Sequence, residues 1–230
     1  EGCELGVSRP EVIQKTIDGA VCEPYEQLVL DIDEQHQGGV MEELGLRRAE
    51  LTQLGLDGKG RVRLEFIVPA RGLIGFRSQF LTMTSGSGIM THIFDHYGPV
   101  TTAVLAARQN GVLVSMVTGK SLAYALHALQ ERGRLFLDPN IQVYEGQIVG
   151  LHSRGNDLVV NPTKAKQLTN VRASGTDEAL TLSPPVKHSL EQALEFIEED
   201  ELVEVTPESI RLRKKWLLEH ERKRASRSAA

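Results

Sequence analysis

Residues 118–121 read Thr-Gly-Lys-Ser, the ending of a phosphate-binding loop, between an apolar run at 112–117 and a helix-like stretch at 120–132. A nucleotide loop of this class reads G-x-x-x-x-G-K-[ST]. Its first glycine would be residue 114, which is Val114. Such a loop wraps phosphate with backbone N–H groups and needs the dihedrals that glycine supplies. The segment therefore reads as a strand-to-helix turn, with a P-loop-type phosphotransferase as the less favoured alternative. Asp57-x-x-Gly60 matches a second element of GTPases, but it falls in a hairpin turn, and no Asn-Lys-x-Asp guanine-reading motif occurs. His92 and His96 would share a metal on a helix, where residues four apart are neighbours. On a strand they stand about 13 Å apart, and their segment reads as a strand. No G-x-S-x-G nucleophile elbow is present. The expectation is no catalytic, cofactor-binding or metal-binding residue.

Charge placement carries more information. Residues 152–172 hold four Lys/Arg (Arg154, Lys164, Lys166, Arg172) and one acid, with His152 and several amides and hydroxyls. A long polar stretch with a local cationic excess is a candidate nucleic-acid contact. Residues 189–208 contain eight acids and no Lys or Arg, whereas 211–227 contain eight Lys/Arg and two acids. That basic block has two readings, a phosphate-binding surface or an element folded onto its acidic neighbour. The acidic run 198–201 reads as a solvated helix end.

The elements that must position these residues follow from periodicity. Alternation at 26–33 and 61–68 predicts strands. Further strands are predicted at 50–56 and 89–97, and helices at about 38–49 and 72–83. Asp57-Gly58 supplies a hairpin turn. The order β-α-β-β-α-β over 23–97 is the ferredoxin-like arrangement. Beyond it, 112–117 predicts a buried strand, 120–132 a helix, and 141–144, 147–151 and 157–160 short strands. Residues 161–178 are polar and irregular. Ser189 and Gln192 form a capping-box pair opening a helix over 189–199. The fold class is α+β: a ferredoxin-like domain followed by a β-rich domain with a few helices.

Composition is that of an ordinary globular chain, 40% hydrophobic and 25% charged, with a formal net charge of -5. Bulk charge does not mark a nucleic-acid binder. The two cysteines form no framework. No apolar run is long enough for a membrane span, and no signal peptide opens the chain. A reduced cytoplasmic protein is expected. The first residue is Glu1 rather than Met, and the abrupt start predicts a fragment of a longer protein.

Several runs are specific enough to name a family. PARGLIGFRSQFLTMTSGSGIM (69–90), VYEGQIVG (143–150), LTNVRASGTDEA (168–179) and LEQALEFIEEDELVEVTPESIRLRKK (190–215) resemble, in order, the C-terminal half of the BipA/TypA family of ribosome-associated translational GTPases. The opening CELGVSRPEVI resembles the last strand of domain III of such factors. The resemblance implies 1–22 as the end of domain III and a linker, 23–97 as domain V, and 98–230 as the family's own C-terminal domain. It implies a monomer that binds the ribosome, chiefly the large subunit, touching 23S rRNA and the acceptor end of A-site tRNA. The family acts in translation and large-subunit assembly under stress. GTP and Mg would belong to a GTPase domain outside these residues. The RNA contacts implied are Lys164, Lys166, Gln167, Asn170 and Arg172, beside His152 and Arg154. Where family members carry lysines after Asn161, this chain has Pro162-Thr163. The competing reading is a regulatory or oligomerising ferredoxin-like module, which fold alone does not separate.

Overall fold

The computed structural model describes residues 4–101, 108–165 and 180–229. They form two units: Pro10–Ala107, and Glu1–Arg9 together with Arg108–Ala230. This divides the expected 1–22 segment. Strand β1 (Leu5–Ser8) pairs antiparallel with residues 202–205 of the second unit, while β2 (Lys15–Ile17) pairs with residues 20–22 of the first. The first unit is accordingly wider than the expected 23–97.

In that unit β3 (Ala20–Asp33), α1 (Gln37–Leu46), β4 (Glu50–Leu56), β5 (Arg61–Pro69), α2 (Ala70–Leu73), α3 (Phe76–Met83) and β6 (Ile89–Pro99) succeed one another. The sheet order is β6-β3-β5-β4, antiparallel throughout, which is the ferredoxin-like order. Alternation places Leu28, Leu30 and Ile32 opposite Phe66, Leu64 and Val62 on one face. That face packs against Val40 and Leu44 of α1 and Phe76 and Phe80 of α3, all buried. The helix expected over 72–83 is broken. Gly75 adopts φ +74, a left-handed conformation that glycine takes at little cost, and the chain bends between α2 and α3. Arg47 closes the gap from behind. Its guanidinium donates to the Gly72 carbonyl (2.6 Å), Gln79 (2.8 Å) and Glu43 (2.8 Å).

The second unit adds β7 (Val112–Ser115), β8 (Gly119–Lys120), α4 (Ala123–Leu129), β9 (Gly133–Leu135), β10 (Gln142–Val143), β11 (Gln147–His152), β12 (Leu158–Val160), α5 (Leu190–Phe196), β13 (Glu201–Val205), β14 (Ile210–Lys214) and α6 (Glu219–Ala229). Its main sheet runs β1-β13-β14-β11-β7-β12, with β9 also on β11; only β12 with β7 is parallel. Both faces of β7 are covered. Val112 and Val114 pack with Ala193 and Ile197 of the α5 segment, and Leu113 packs with Leu126 of α4 and Val149. A strand buried on both sides reads as a continuous apolar run. The capping box at Ser189 and Gln192 is present.

Two strands that the sequence reading left as charged surface, β13 and β14, pair with each other, Glu204 opposite Arg211 and Glu201 opposite Lys214. The acids at 198–201 are therefore not all solvated. Glu201 is fully buried. It accepts two hydrogen bonds from Arg108 (2.8 and 2.9 Å) and one from the backbone N–H of Glu198 (3.0 Å). The Lys214 ammonium lies 2.9 Å from Glu201, 2.6 Å from Asp157 and 2.9 Å from Asp200. Asp157 in turn accepts from the N–H of Val112 (2.9 Å).

Burial alone would raise the Glu201 pKa. The Arg108 hydrogen bonds and the Lys214 charge more than offset it and hold the carboxyl below its ordinary 4.5. A depressed carboxyl contributes stability that is complete above its unfolded value and drains away as pH falls through the folded one. Glu201→Gln leaves Arg108 and Lys214 short of an anion, and the expected loss is about 3–5 kcal/mol, read from chemical denaturation at neutral pH. The wild-type chain should lose stability below about pH 4.5 more steeply than the variant. Equal slopes for the two would contradict the assignment.

Candidate nucleic-acid interface

The polar stretch after β12 leaves the second unit from a fixed base. The Val160 carbonyl accepts from Met116 N–H (2.9 Å), and the carbonyl of buried Pro162 accepts from Leu122 N–H (3.0 Å), at the start of α4. Asn161 Oδ1 accepts from both the N–H and the hydroxyl of Thr163, each at 2.9 Å. Pro162 and Thr163 thus shape the departure of the chain. The return is also fixed. Gln130, just past α4, donates to the Thr181 carbonyl (3.1 Å) and accepts from Ser183 N–H (3.1 Å). Pro162 and Thr181 are therefore tethered at opposite ends of one short helix.

Lys164 follows this base and is exposed. Arg154 is exposed in the turn between β11 and β12, so the two cations lie at opposite ends of β12. Lys166, Gln167, Asn170 and Arg172 lie outside the described residues. His152 is 4% exposed, and its Nδ1 lies 2.6 Å from the Asn156 carbonyl, a contact that braces the β11–β12 turn. Counting cationic and amide residues along a stretch does not reveal which side chain the strand turns inward.

The Thr-Gly-Lys-Ser segment is a structural corner. Gly119 and Lys120 pair with Val143 and Gln142. Ser121 is fully buried; its hydroxyl donates to the Asp138 carbonyl (2.9 Å) and accepts from Ile141 N–H (3.0 Å). The N–H groups of Ser121 and Leu122 donate to the Ile141 and Pro162 carbonyls. The amides of Ser121 and Leu122, at the end of the nucleotide-loop lettering, are therefore engaged inside the fold. Asp57 is likewise a turn residue, accepting from Lys59 and Arg61 N–H at 2.7 and 2.9 Å. These bonds hold its carboxyl below the usual range. His92 contacts Glu26, and His96 lies 2.6 Å from Asp95 with its ring stacked on Tyr25. Among the described residues no three His, Cys, Asp or Glu are placed to hold a metal.

The basic block at 211–227 resolves into two parts. Arg211, Arg213 and Lys214 belong to β14, and two of them face acids of β13. Tyr144 reinforces that pairing by donating to Glu204 (2.6 Å). Burial, and then this bond, push its phenol well above the ordinary value. Lys215 and the cations of α6 are the other part.

The corner predicts opposite sensitivities at adjacent residues. Ser121→Ala strands Ile141 N–H and should cost about 1–3 kcal/mol, whereas Lys120→Ala, at an exposed position, should stay within about 0.5 kcal/mol. Urea denaturation measures both. Calorimetric titration with GTP or ATP should give no heat that Lys120→Ala abolishes; such a heat would restore the nucleotide-loop reading.

Among known proteins, residues 110–219 match the family model described as the TypA/BipA C-terminal domain, and residues 20–108 match the elongation factor G C-terminus. The chain is 61% identical over 228 residues to a protein of Haemophilus influenzae named large ribosomal subunit assembly factor BipA. It is 60% identical over 227 residues to the protein of that name from Salmonella typhimurium, and 53% identical over 228 residues to that from Buchnera aphidicola. Each alignment takes in 99% of this chain, and the chain spans 37–38% of these relatives' length. Among the described residues no helix is long and apolar enough to cross a membrane. With the two domain models matched in succession and relatives alike across nearly every residue, the chain belongs to the BipA/TypA family.

Proposed function

We propose that these domains are the ribosome-binding part of a cytoplasmic, monomeric translational GTPase that acts in large-subunit assembly and in translation under stress. The observation that carries the reading is the cationic polar stretch beginning at Lys164, on a base tethered to both ends of α4. Lys164, Lys166 and Arg172 supply charge for phosphates, and Gln167 and Asn170 supply amides for base edges or 2′-hydroxyls. Arg154 is a second, separate contact. The relatives' printed name points to the large subunit as the partner; 23S rRNA and the acceptor end of A-site tRNA are the RNAs this reading assigns. In this reading GTP and Mg are bound by a GTPase domain, and the present residues recognise RNA rather than hydrolyse nucleotide.

Pelleting with purified large and small subunits across a salt series tests this. The wild-type chain should pellet with large subunits. Lys164→Ala/Lys166→Ala/Arg172→Ala should weaken that binding and reduce the salt slope by about 2–3, since each lost phosphate contact removes about 0.9. Its melting temperature should barely move. An unchanged slope with wild-type affinity would remove the stretch from the interface.

A further inference from the structure

The cations that β14 does not absorb follow a helical rule. His220, Lys223, Arg224 and Arg227 stand at i, i+3, i+4 and i+7, one stripe of a helix with 3.6 residues per turn. All four are exposed, while Glu221, Arg222 and Ala225 on the other side of α6 are half-buried. The stripe runs about 10 Å along the axis. Glu219 lies 2.5 Å from Lys223 at its margin, and the stripe itself contains no acid. Just before α6, Trp216 is 39% exposed, with the Lys215 ammonium 5.5 Å from its ring centre.

The segment that leads into this helix is fastened to the unit. Lys215 N–H donates to the Asp200 carbonyl (2.7 Å). The Arg222 guanidinium turns back to the carbonyls of Trp216 and Leu217. Leu217 sits so close to Gly146 that a Cβ there would lie 2.6 Å from the Leu217 Cα, and Gly146 has φ +86. The start of the stripe is thus held to the unit through residues 215–217.

We propose that the α6 stripe, flanked by Lys215 and Trp216, is a second RNA-binding surface, with the helix taking backbone phosphates and the indole stacking on an unpaired base. That the RNA is ribosomal rests on the function proposed above; the chemistry of the surface does not. A helix that lies on a membrane needs a broad apolar face, and the exposed face of α6 has none. A protein interface has an apolar core poor in Lys, and the stripe again has none. Closely spaced cations beside an exposed aromatic ring match a phosphate backbone with accessible bases.

The test uses the full chain and Lys223→Ala/Arg224→Ala/Arg227→Ala. Alanine is the best helix former, so circular dichroism should be unchanged. The probe is a fluorescein-labelled RNA duplex with a single-stranded extension, read by anisotropy across a salt series. Affinity should fall about tenfold or more, with the salt slope lower by about 2–3. Lys59→Ala/Arg77→Ala, exposed cations of the other unit, should change little by comparison. Trp216→Leu should weaken binding without changing the slope. Equal affinity and slope for wild type and the stripe variant overturn the proposal, as does a stripe-dependent association with phosphatidylserine vesicles in place of RNA. The two proposals separate by substrate. Stripe-dependent RNA binding without large-subunit pelleting supports the stripe and defeats the ribosome reading. Large-subunit pelleting that the stripe variant retains, with RNA binding unaltered, does the reverse.

Discussion

A buried carboxylate is costly unless its charge is met, at several kcal/mol per ion even after relaxation. Glu201 meets that demand with partners drawn from distant points of the chain. Arg108 lies at the entry to β7, Lys214 at the end of β14, and Asp157 and Asp200 complete the charge balance from two further turns. A one-residue slip of β14 against β13 would turn Leu212 out of its apolar cluster and carry Lys214 to the other face. The ion cluster makes that slip costlier still, because it would leave buried Glu201 without the Lys214 charge. It fixes the hairpin, and the hairpin carries α6.

Both units meet their buried charges with partners far along the chain. In Pro10–Ala107, Arg47 reaches the Gly72 carbonyl behind the α2–α3 bend, and fully buried Glu23 accepts from Arg71 and from Thr101 N–H. What could be read from sequence was instead what neighbouring residues alone determine. The alternations at 26–33 and 61–68 and the Ser189 capping box are local patterns, and local patterns survive without knowledge of partners. Nothing near Glu201 in sequence says that Arg108 will be waiting, so the acidic run 198–201 looked like solvated charge, while the charge split itself offered the fold-back of the basic block that β14 makes on β13. Gly75 hid inside an apolar run whose helical spacing continues across it.

The candidate interface was legible in part for the same reason. Exposed Lys164 and Arg154 stand out by charge against an acidic background. His152 looked equivalent to them and is not, because burial by the Asn156 turn is a property of the sheet. The Thr-Gly-Lys-Ser corner carries the reverse lesson: its letters resemble a nucleotide loop, while the fold turns its Ser121 and Leu122 amides to the Ile141 and Pro162 carbonyls. The stripe on α6 was present in the spacing of His220, Lys223, Arg224 and Arg227, but tallying charges over the whole block concealed it.

Tethering Pro162 and Thr181 to the two ends of α4 also sets a length in the molecule. A helix of seven residues sets a span of about 10 Å between the two feet, whatever lies between them. Both feet are held through their backbone carbonyls, so their spacing follows the length of α4 rather than the side chains at positions 162 and 181. Each residue added to or removed from α4 would move one foot by about 1.5 Å and turn it by about 100° around the helix axis, so this short helix is the gauge that sets where Lys164 leaves the unit.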